Sequence, residues 1–252
     1  MSDFQGRVVL VTGGTDGIGL AIAKAFAAHG ATVVVNGRRE EVGNAAAVDI
    51  SAAGAASGGS GEYVRADVSS TDDVQRLVEG VIETHGNLDV LVNNAAVEFN
   101  RLLVETTLED YELVMNTNLR SYYHASIIAV RHMAPRGEGN IININSITRD
   151  HPIPGTGLYA MAKAAVSALT RSLAQEHGKD GVRVNEILPG VIRTAIYDTP
   201  QGAPLVQGAI DQTPLGRLGS TDDIAQAAVF LASGKSGFTT GSSWLIDGGI
   251  TI

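Results

Sequence analysis

The chain contains no cysteine among its 252 residues. That absence excludes disulfides, thiolate nucleophiles and cysteine-ligated zinc, and leaves the redox compartment open. Lysine is scarce, with only Lys24, Lys163, Lys179 and Lys235 present, and no basic run occurs. With a formal net charge of -9, the chain lacks the clustered cations that nucleic-acid phosphates require. The six histidines show no H-x-x-x-H spacing, so no metal site is expected. No uninterrupted apolar segment approaches the ~20 residues of a membrane span. Residues 1–7 carry no charged stretch leading into an apolar one, and a cytoplasmic location is expected. A G-x-S-x-G nucleophile elbow is also missing.

What is present is a series of apolar, strand-like runs alternating with helix-like ones. The strand-like runs fall at 8–12, 32–35, 63–66, 89–92, 140–144, 183–188 and 244–246. Their alternation with helices predicts an α/β fold: a Rossmann-type, doubly wound, seven-stranded parallel sheet flanked by helices. A single domain spanning 1–252 suits this length. In such sheets ligands gather beyond the carboxyl ends of the strands. Thr12, Asp67, Asn93, Ser146 and Pro189 each follow a predicted strand, so all five are expected to line one crevice. Two segments look irregular. Residues 51–61, small and glycine-rich, read as a frayed helix end plus a flexible loop with no ligand role. Residues 190–220, with Pro200, Pro204 and Pro214, are long enough to form a substrate lid.

The first strand runs into a turn containing Gly13, Gly14, Gly17 and Gly19, followed by a helix-like segment. Strand, glycine turn and helix N-terminus together offer backbone amides to a pyrophosphate. The spacing is not G-x-G-x-x-G. A phosphate loop is excluded as well, because Leu20 and Ala21 stand where it needs Lys and Ser/Thr. Further on, Tyr159 and Lys163 are four positions apart, on one face of a helix. A phenol titrates near ~10 in isolation, and a neighbouring cation lowers that value by favouring the phenolate, so the pair predicts acid–base chemistry. Ser146, at the end of a strand and thirteen positions before Tyr159, can converge with it on one substrate oxygen.

Several motifs in order, Thr12-Gly13-Gly14-Thr15-Asp16-Gly17-Ile18-Gly19, Asp67, Asn93-Asn94-Ala95-Ala96, Asn118, Ser146, Tyr159, Lys163, Pro189-Gly190 with Thr194, and Asp247-Gly248-Gly249, give the chain its resemblance to the short-chain dehydrogenase/reductase family. It resembles the single-domain subgroup of about 250 residues. Three positions depart from the family pattern: Ala96 replaces a common glycine, Asn145 a common second serine, and Glu186 a usual small residue beside the nicotinamide. The resemblance implies Asn118, Ser146, Tyr159 and Lys163 as catalytic residues. Tyr159 exchanges the proton, Ser146 donates to the developing oxyanion, Lys163 lowers the Tyr159 pKa and holds the nicotinamide ribose, and Asn118 helps seat a relay water. It also implies cofactor contacts from Gly13, Thr15, Asp16, Gly17, Ile18, Gly19, Arg38, Asp67, Val68, Asn94, Ala95, Ala96, Pro189, Gly190, Ile192 and Thr194, together with Tyr159 and Lys163. Asp67 and Val68 are implied at the adenine and Thr194 at the carboxamide.

The second strand ends in Asn36-Gly37-Arg38-Arg39, with no carboxylate for a ribose diol, which favours NADP(H) over NAD(H). Asp16 pulls the other way, since a basic residue in the glycine turn often assists NADP in this family. Arg38 and Arg39 could instead open a solvated helix, paired with Glu40 and Glu41. Glu98, Asp150, His151, Ile153 and Ile196 are the candidate substrate contacts, with Arg149 as a further substrate-facing candidate and Val97 and Leu158 as apolar ones. The polar members suit a sugar or polyol; the apolar ones keep a cyclic ketone open. The resulting expectation is NADP(H)-linked hydride transfer to a small-molecule carbonyl or secondary alcohol by a homotetramer. The alternatives are a 3-oxoacyl-[acyl-carrier-protein] reductase and a non-catalytic NAD(P)-binding regulatory protein. The net charge and Gln175, where such reductases tend to carry a basic residue, weigh against the carrier-protein reductase.

Overall fold

Strands buried on both faces need apolar side chains at every position, and the first strand, β1 (Val8–Val11), is Val-Val-Leu-Val with all four residues buried. In β4 (Val90–Asn93) all four residues are likewise buried, three of them apolar, with Asn93 at its end. In the computed structural model, residues 3–199 and 203–252 are described, except for the side chains at 196, 198, 203 and 204. The remaining strands are β2 (Thr32–Gly37), β3 (Ser60–Arg65), β5 (Gly139–Ile144), β6 (Val182–Pro189) and β7 (Ser243–Ile246). All pairings are parallel, and the order is β3-β2-β1-β4-β5-β6-β7. The direction of winding reverses between β1 and β4, so a crevice opens at their carboxyl ends.

One face of the sheet packs on α1 (Gly17–Ala28) and α8 (Thr221–Ala232) through Ile22, Phe26, Ile224 and Ala228, all buried. The other face packs on α3 (Thr71–His85), α5 (Ser121–Met133) and α6 (Gly157–His177) through Leu77, Ala129, Met133 and Leu173. The helix starts follow from side-chain caps: Ser70 accepts from the Asp73 N–H at α3, and Ser220 with Asp223 forms a capping box at α8. α2 (Glu40–Gly54), α4 (Leu108–Met115) and α7 (Ala203–Gln212) complete the helices. A π turn, Asn116–Arg120, joins α4 to α5. No helix among the described residues is long and apolar enough to cross a membrane.

The seven predicted strands all form. The glycine-rich segment 51–61 differs from expectation: α2 continues to Gly54, and β3 already starts at Ser60. The stretch is pinned rather than loose, with the Gly61 N–H donating to Ser51 Oγ at 2.9 Å and Ser57 Oγ donating to the Ala27 carbonyl at 2.9 Å. A Cβ on Gly59 would lie 2.1 Å from the Ala27 oxygen. Gly54, Gly59 and Gly61 therefore serve close packing, and only Gly58, at φ 79° with open space around it, serves the turn.

Candidate active site

The carboxyl ends of the strands enclose a cleft of about 1380 Å³. At one end lies the glycine turn. Gly13 (φ 63°) and Gly17 (φ 53°) take left-handed conformations, which favour glycine. Asp16, just before α1, accepts from the Gly17 N–H at 2.7 Å as the helix cap. Asn36, buried at the end of β2, accepts from the Gly13 N–H at 3.1 Å and donates to the Ala66 carbonyl at 3.1 Å, fixing the turn to the neighbouring strands. Thr12 Oγ1 accepts from the Asn94 and Ala95 N–H groups at 2.9 and 3.2 Å. Gly19 admits nothing larger: a Cβ there would stand 2.4 Å from Asn94 Nδ2 and 2.5 Å from the Gly13 oxygen. Gly19→Ala should cost about 2 kcal/mol by overpacking, read as a lowered midpoint in urea unfolding.

At the other end are Ser146, Tyr159 and Lys163. Ser146, extended at φ -162°, follows β5 and opens a short 3-10 turn, Ile147–Arg149, by accepting from the Thr148 N–H at 3.1 Å. Tyr159 and Lys163 lie one turn apart on α6, and Lys163 Nζ is 5.6 Å from the Tyr159 ring centroid. The ammonium is buried and donates to the Ile144 carbonyl at 2.7 Å and to Tyr122 OH at 3.1 Å. Tyr122 in turn donates to the Ile144 carbonyl at 3.0 Å. No local spacing in the sequence links Tyr122 to this site; only the packing of α5 against α6 brings it there.

The electrostatics depart from expectation. Tyr159 is not lowered: burial pushes its phenol up to about 12, with Glu98 acting in the same direction and a hydrogen bond from Ser146 opposing both. Burial likewise pushes Lys163 down to about 7, against the pull of the Glu186 carboxylate. Desolvation disfavours the charged form of each group. Burial of the phenol thus outweighs the lowering that a neighbouring cation was expected to bring.

Among the expected cofactor residues, Gly13, Thr15, Asp16, Ile18, Gly19, Arg38, Asp67, Val68, Asn94, Ala95, Ala96, Pro189, Gly190, Ile192 and Thr194 line the cleft, together with Ser146, Tyr159 and Lys163. Gly17 is not part of the lining, and Thr12 and Asn93 sit beneath it; Asn93 donates to Asn143 Oδ1 at 2.9 Å. Asn118 is fully buried in the π turn, outside the lining, with its amide exchanging hydrogen bonds of 2.8 and 2.9 Å with the Val97 backbone. Glu98, His151 and Ile153 face the cleft. Asp150 does not: its carboxylate pairs with Arg149 Nε at 2.8 Å. Arg149 also turns away, inward to Glu186, because an ion pair and the buried Ser167 hydroxyl receive its guanidinium there. Leu158 is buried against Val114 and Ala162 rather than lining the cleft. The Ile196 side chain lies outside the described residues, as do residues 200–202 of the 190–220 segment. Within that segment Leu205, Gly208, Ala209 and Gln212 line the cleft.

Comparison with known proteins agrees with this arrangement. The family model described as enoyl-(acyl carrier protein) reductase matches residues 13–251. A 3-oxoacyl-[acyl-carrier-protein] reductase of Chlamydia pneumoniae is 37% identical over 246 residues, covering 98% of this chain and 97% of the relative. A gluconate 5-dehydrogenase of Gluconobacter oxydans is 35% identical over 254 residues, covering 98% and 96%. A solved structure described as a short chain dehydrogenase/reductase family protein superposes with a TM-score of 0.86 at 37% identity, covering 98% of each chain. The doubly wound sheet, the glycine turn and the convergence of Ser146, Tyr159 and Lys163 accord with these likenesses: the chain belongs to the short-chain dehydrogenase/reductase family, as an oxidoreductase acting on CH–OH and C=O groups.

Proposed function

We propose that the chain transfers hydride reversibly between NADP(H) and a small polar carbonyl or secondary alcohol of sugar, polyol or cyclic-ketone type. The observation that carries this reading is a single cleft whose lining includes Arg38 and Arg39 as well as Ser146, Tyr159 and Lys163. Among the described residues no carboxylate pairs with Arg38 or Arg39. Two guanidinium groups just past β2 that stay unpaired with the neighbouring Glu40 and Glu41 suit a 2′-phosphate. The glycine turn fits a pyrophosphate: it precedes the N-terminus of α1, and a Cβ on Gly17 would meet only Thr194 Cγ2, at 3.7 Å. In this reading Thr15, Asp16 and Gly17 to Gly19 hold the pyrophosphate, Asp67 and Val68 the adenine, and Asn94 to Ala96 with Pro189, Gly190, Ile192 and Thr194 the nicotinamide half.

When bound, the nicotinamide supplies the hydride donor or acceptor at its C4. Tyr159, protonated at neutral pH, gives its proton to the carbonyl oxygen in reduction and takes it back in oxidation. Ser146 donates to the same oxygen as negative charge develops. Lys163, held by the Ile144 carbonyl and Tyr122, orients the ribose and replenishes the Tyr159 proton. Asn118 acts by fixing Val97 and the π turn that packs on α6. Glu98 and His151 receive substrate hydroxyls, Ile153 covers apolar carbon, and the described part of the 190–220 segment that lines the cleft, Leu205, Gly208, Ala209 and Gln212, closes over the substrate as a lid. A homotetramer in the cytoplasm completes this reading.

The gluconate 5-dehydrogenase relative supports a polyhydroxylated substrate. The Chlamydia pneumoniae relative supports the second reading, a 3-oxoacyl-[acyl-carrier-protein] reductase; an acidic carrier is disfavoured by the net charge of -9 and by the exposed Gln175. NADPH and NADH consumption across sugars, cyclic ketones and acyl thioesters separates the two, and turnover confined to thioesters would overturn the first. Arg38→Asp should lower kcat/KM for NADPH by about 10- to 100-fold while sparing or improving NADH, the range expected for losing a charge-assisted contact. An unchanged NADPH preference would remove Arg38 from cofactor selection.

A further inference from the structure

Two of the positions that depart from the family pattern, Asn145 and Glu186, meet in the structure. Glu186 is in register with Asn143 on β5 and Ser243 on β7, within a row of polar residues crossing the buried sheet. Its side chain is 1% exposed, so its charge needs internal partners. It has four. Oε1 accepts from Arg149 Nη1 and from Ser243 Oγ, and Oε2 accepts from Asn145 Nδ2 at 2.6 Å and Ser167 Oγ at 2.9 Å. These donors match the four lone-pair sites of a carboxylate.

Asn145 carries the network to the catalytic residues. Its Oδ1 accepts from the Ser146 N–H at 2.9 Å, and its Nδ2 also donates to the Lys163 carbonyl at 3.1 Å. The backbones of both residues are thus tied to one side chain, and that side chain is held by Glu186. Arg149 closes the ring, because it ends the 3-10 turn that Ser146 begins. From this geometry we infer that Glu186 is a positioning residue: through Asn145 and Arg149 it holds Ser146 and Lys163 in register for proton transfer. The titratable groups around Lys163 are Tyr122 from α5, Tyr159 from α6 and Glu186 from β6, with Arg149 beyond Glu186. Glu186 is the anion that favours the charged form of Lys163.

The inference rests on the hydride-transfer reading, and the test separates the two. Glu186→Gln keeps the shape and removes the charge. For a carbonyl that the native enzyme turns over, kcat should fall by about tenfold or more while KM stays within about threefold, since an interaction realised at the transition state is lost. Independently of turnover, [13C]lysine NMR follows the four lysines, and the Lys163 midpoint should move down by about one unit in Glu186→Gln. Paired Arg149→Met/Glu186→Leu, which leaves no unpaired buried charge, should show the same two changes if the single variant does not fold. A native kcat and an unmoved Lys163 midpoint in either folded variant would overturn the positioning role. Native protein silent on every carbonyl would count against the proposed substrates, with the lysine titration still deciding the role of Glu186.

Discussion

Tyr159→Phe is expected to lower kcat for carbonyl reduction by about 10²- to 10⁴-fold, the contribution of a positioned general acid. Phenylalanine keeps the ring that α6 packs into the cleft and removes only the hydroxyl, so folding and cofactor binding should persist. Initial-rate kinetics with NADPH, beside fluorescence titration of cofactor affinity, measures both. A loss below about fivefold with intact cofactor binding would remove Tyr159 from proton transfer. The pH dependence has a defined sign. With the phenol pushed up to about 12, its protonated form dominates throughout the neutral range, and reduction uses that form. Oxidation of the alcohol needs the phenolate, so the oxidative rate should climb as pH rises, whereas reduction should not.

Arg149→Met is expected to be the most destabilising of the substitutions considered, costing about 3–5 kcal/mol, the range for leaving one member of a buried ion pair uncompensated. Glu186 is 1% exposed and the Arg149 side chain only 12%, so water cannot replace the guanidinium. Ser167, Ser243 and Asn145 still donate to Glu186, which places the cost toward the lower end. Urea unfolding followed by circular dichroism reads the loss as a lowered midpoint. Arg149→Met/Glu186→Leu should recover most of it, since replacing both charges with apolar groups spares the desolvation penalty. A single variant as stable as the native chain would mean that the pair contributes nothing.

The strands and their parallel, doubly wound arrangement could be read in advance because parallel strands buried on both faces require apolar runs, and Val8–Val11 and residues 90–92 supply them, whereas the strand order came only with the structure. Residues that act through short, local geometry were equally legible. Tyr159 and Lys163 share a helix face by their spacing, and the glycine turn with its left-handed Gly13 and Gly17 is a local backbone requirement. Segment 51–61 was misread because glycine has two uses, and only the approach of Gly59 to the Ala27 carbonyl shows that close packing was the one in play.

Side-chain direction was not legible. Arg149, Asp150 and His151 are consecutive, yet Arg149 runs inward to Glu186, Asp150 follows Arg149, and only His151 faces the cleft. The partner that selects among them is 37 residues away in sequence from Arg149. The same is true of Tyr122, which reaches Lys163 across 41 positions. The shift of Tyr159 to about 12 likewise depends on how much of the chain covers it, which no spacing encodes. By itself, then, the sequence determined the sheet, the glycine turn and the placing of Tyr159 and Lys163 on one helix face, because each follows from periodicity or local backbone demand, while Ser146 was singled out by its place at a strand end and by the family resemblance. Tertiary structure alone decided which polar residues enter the cleft, which are buried to brace it, and what burial does to their proton affinity, because those depend on long-range contacts and desolvation.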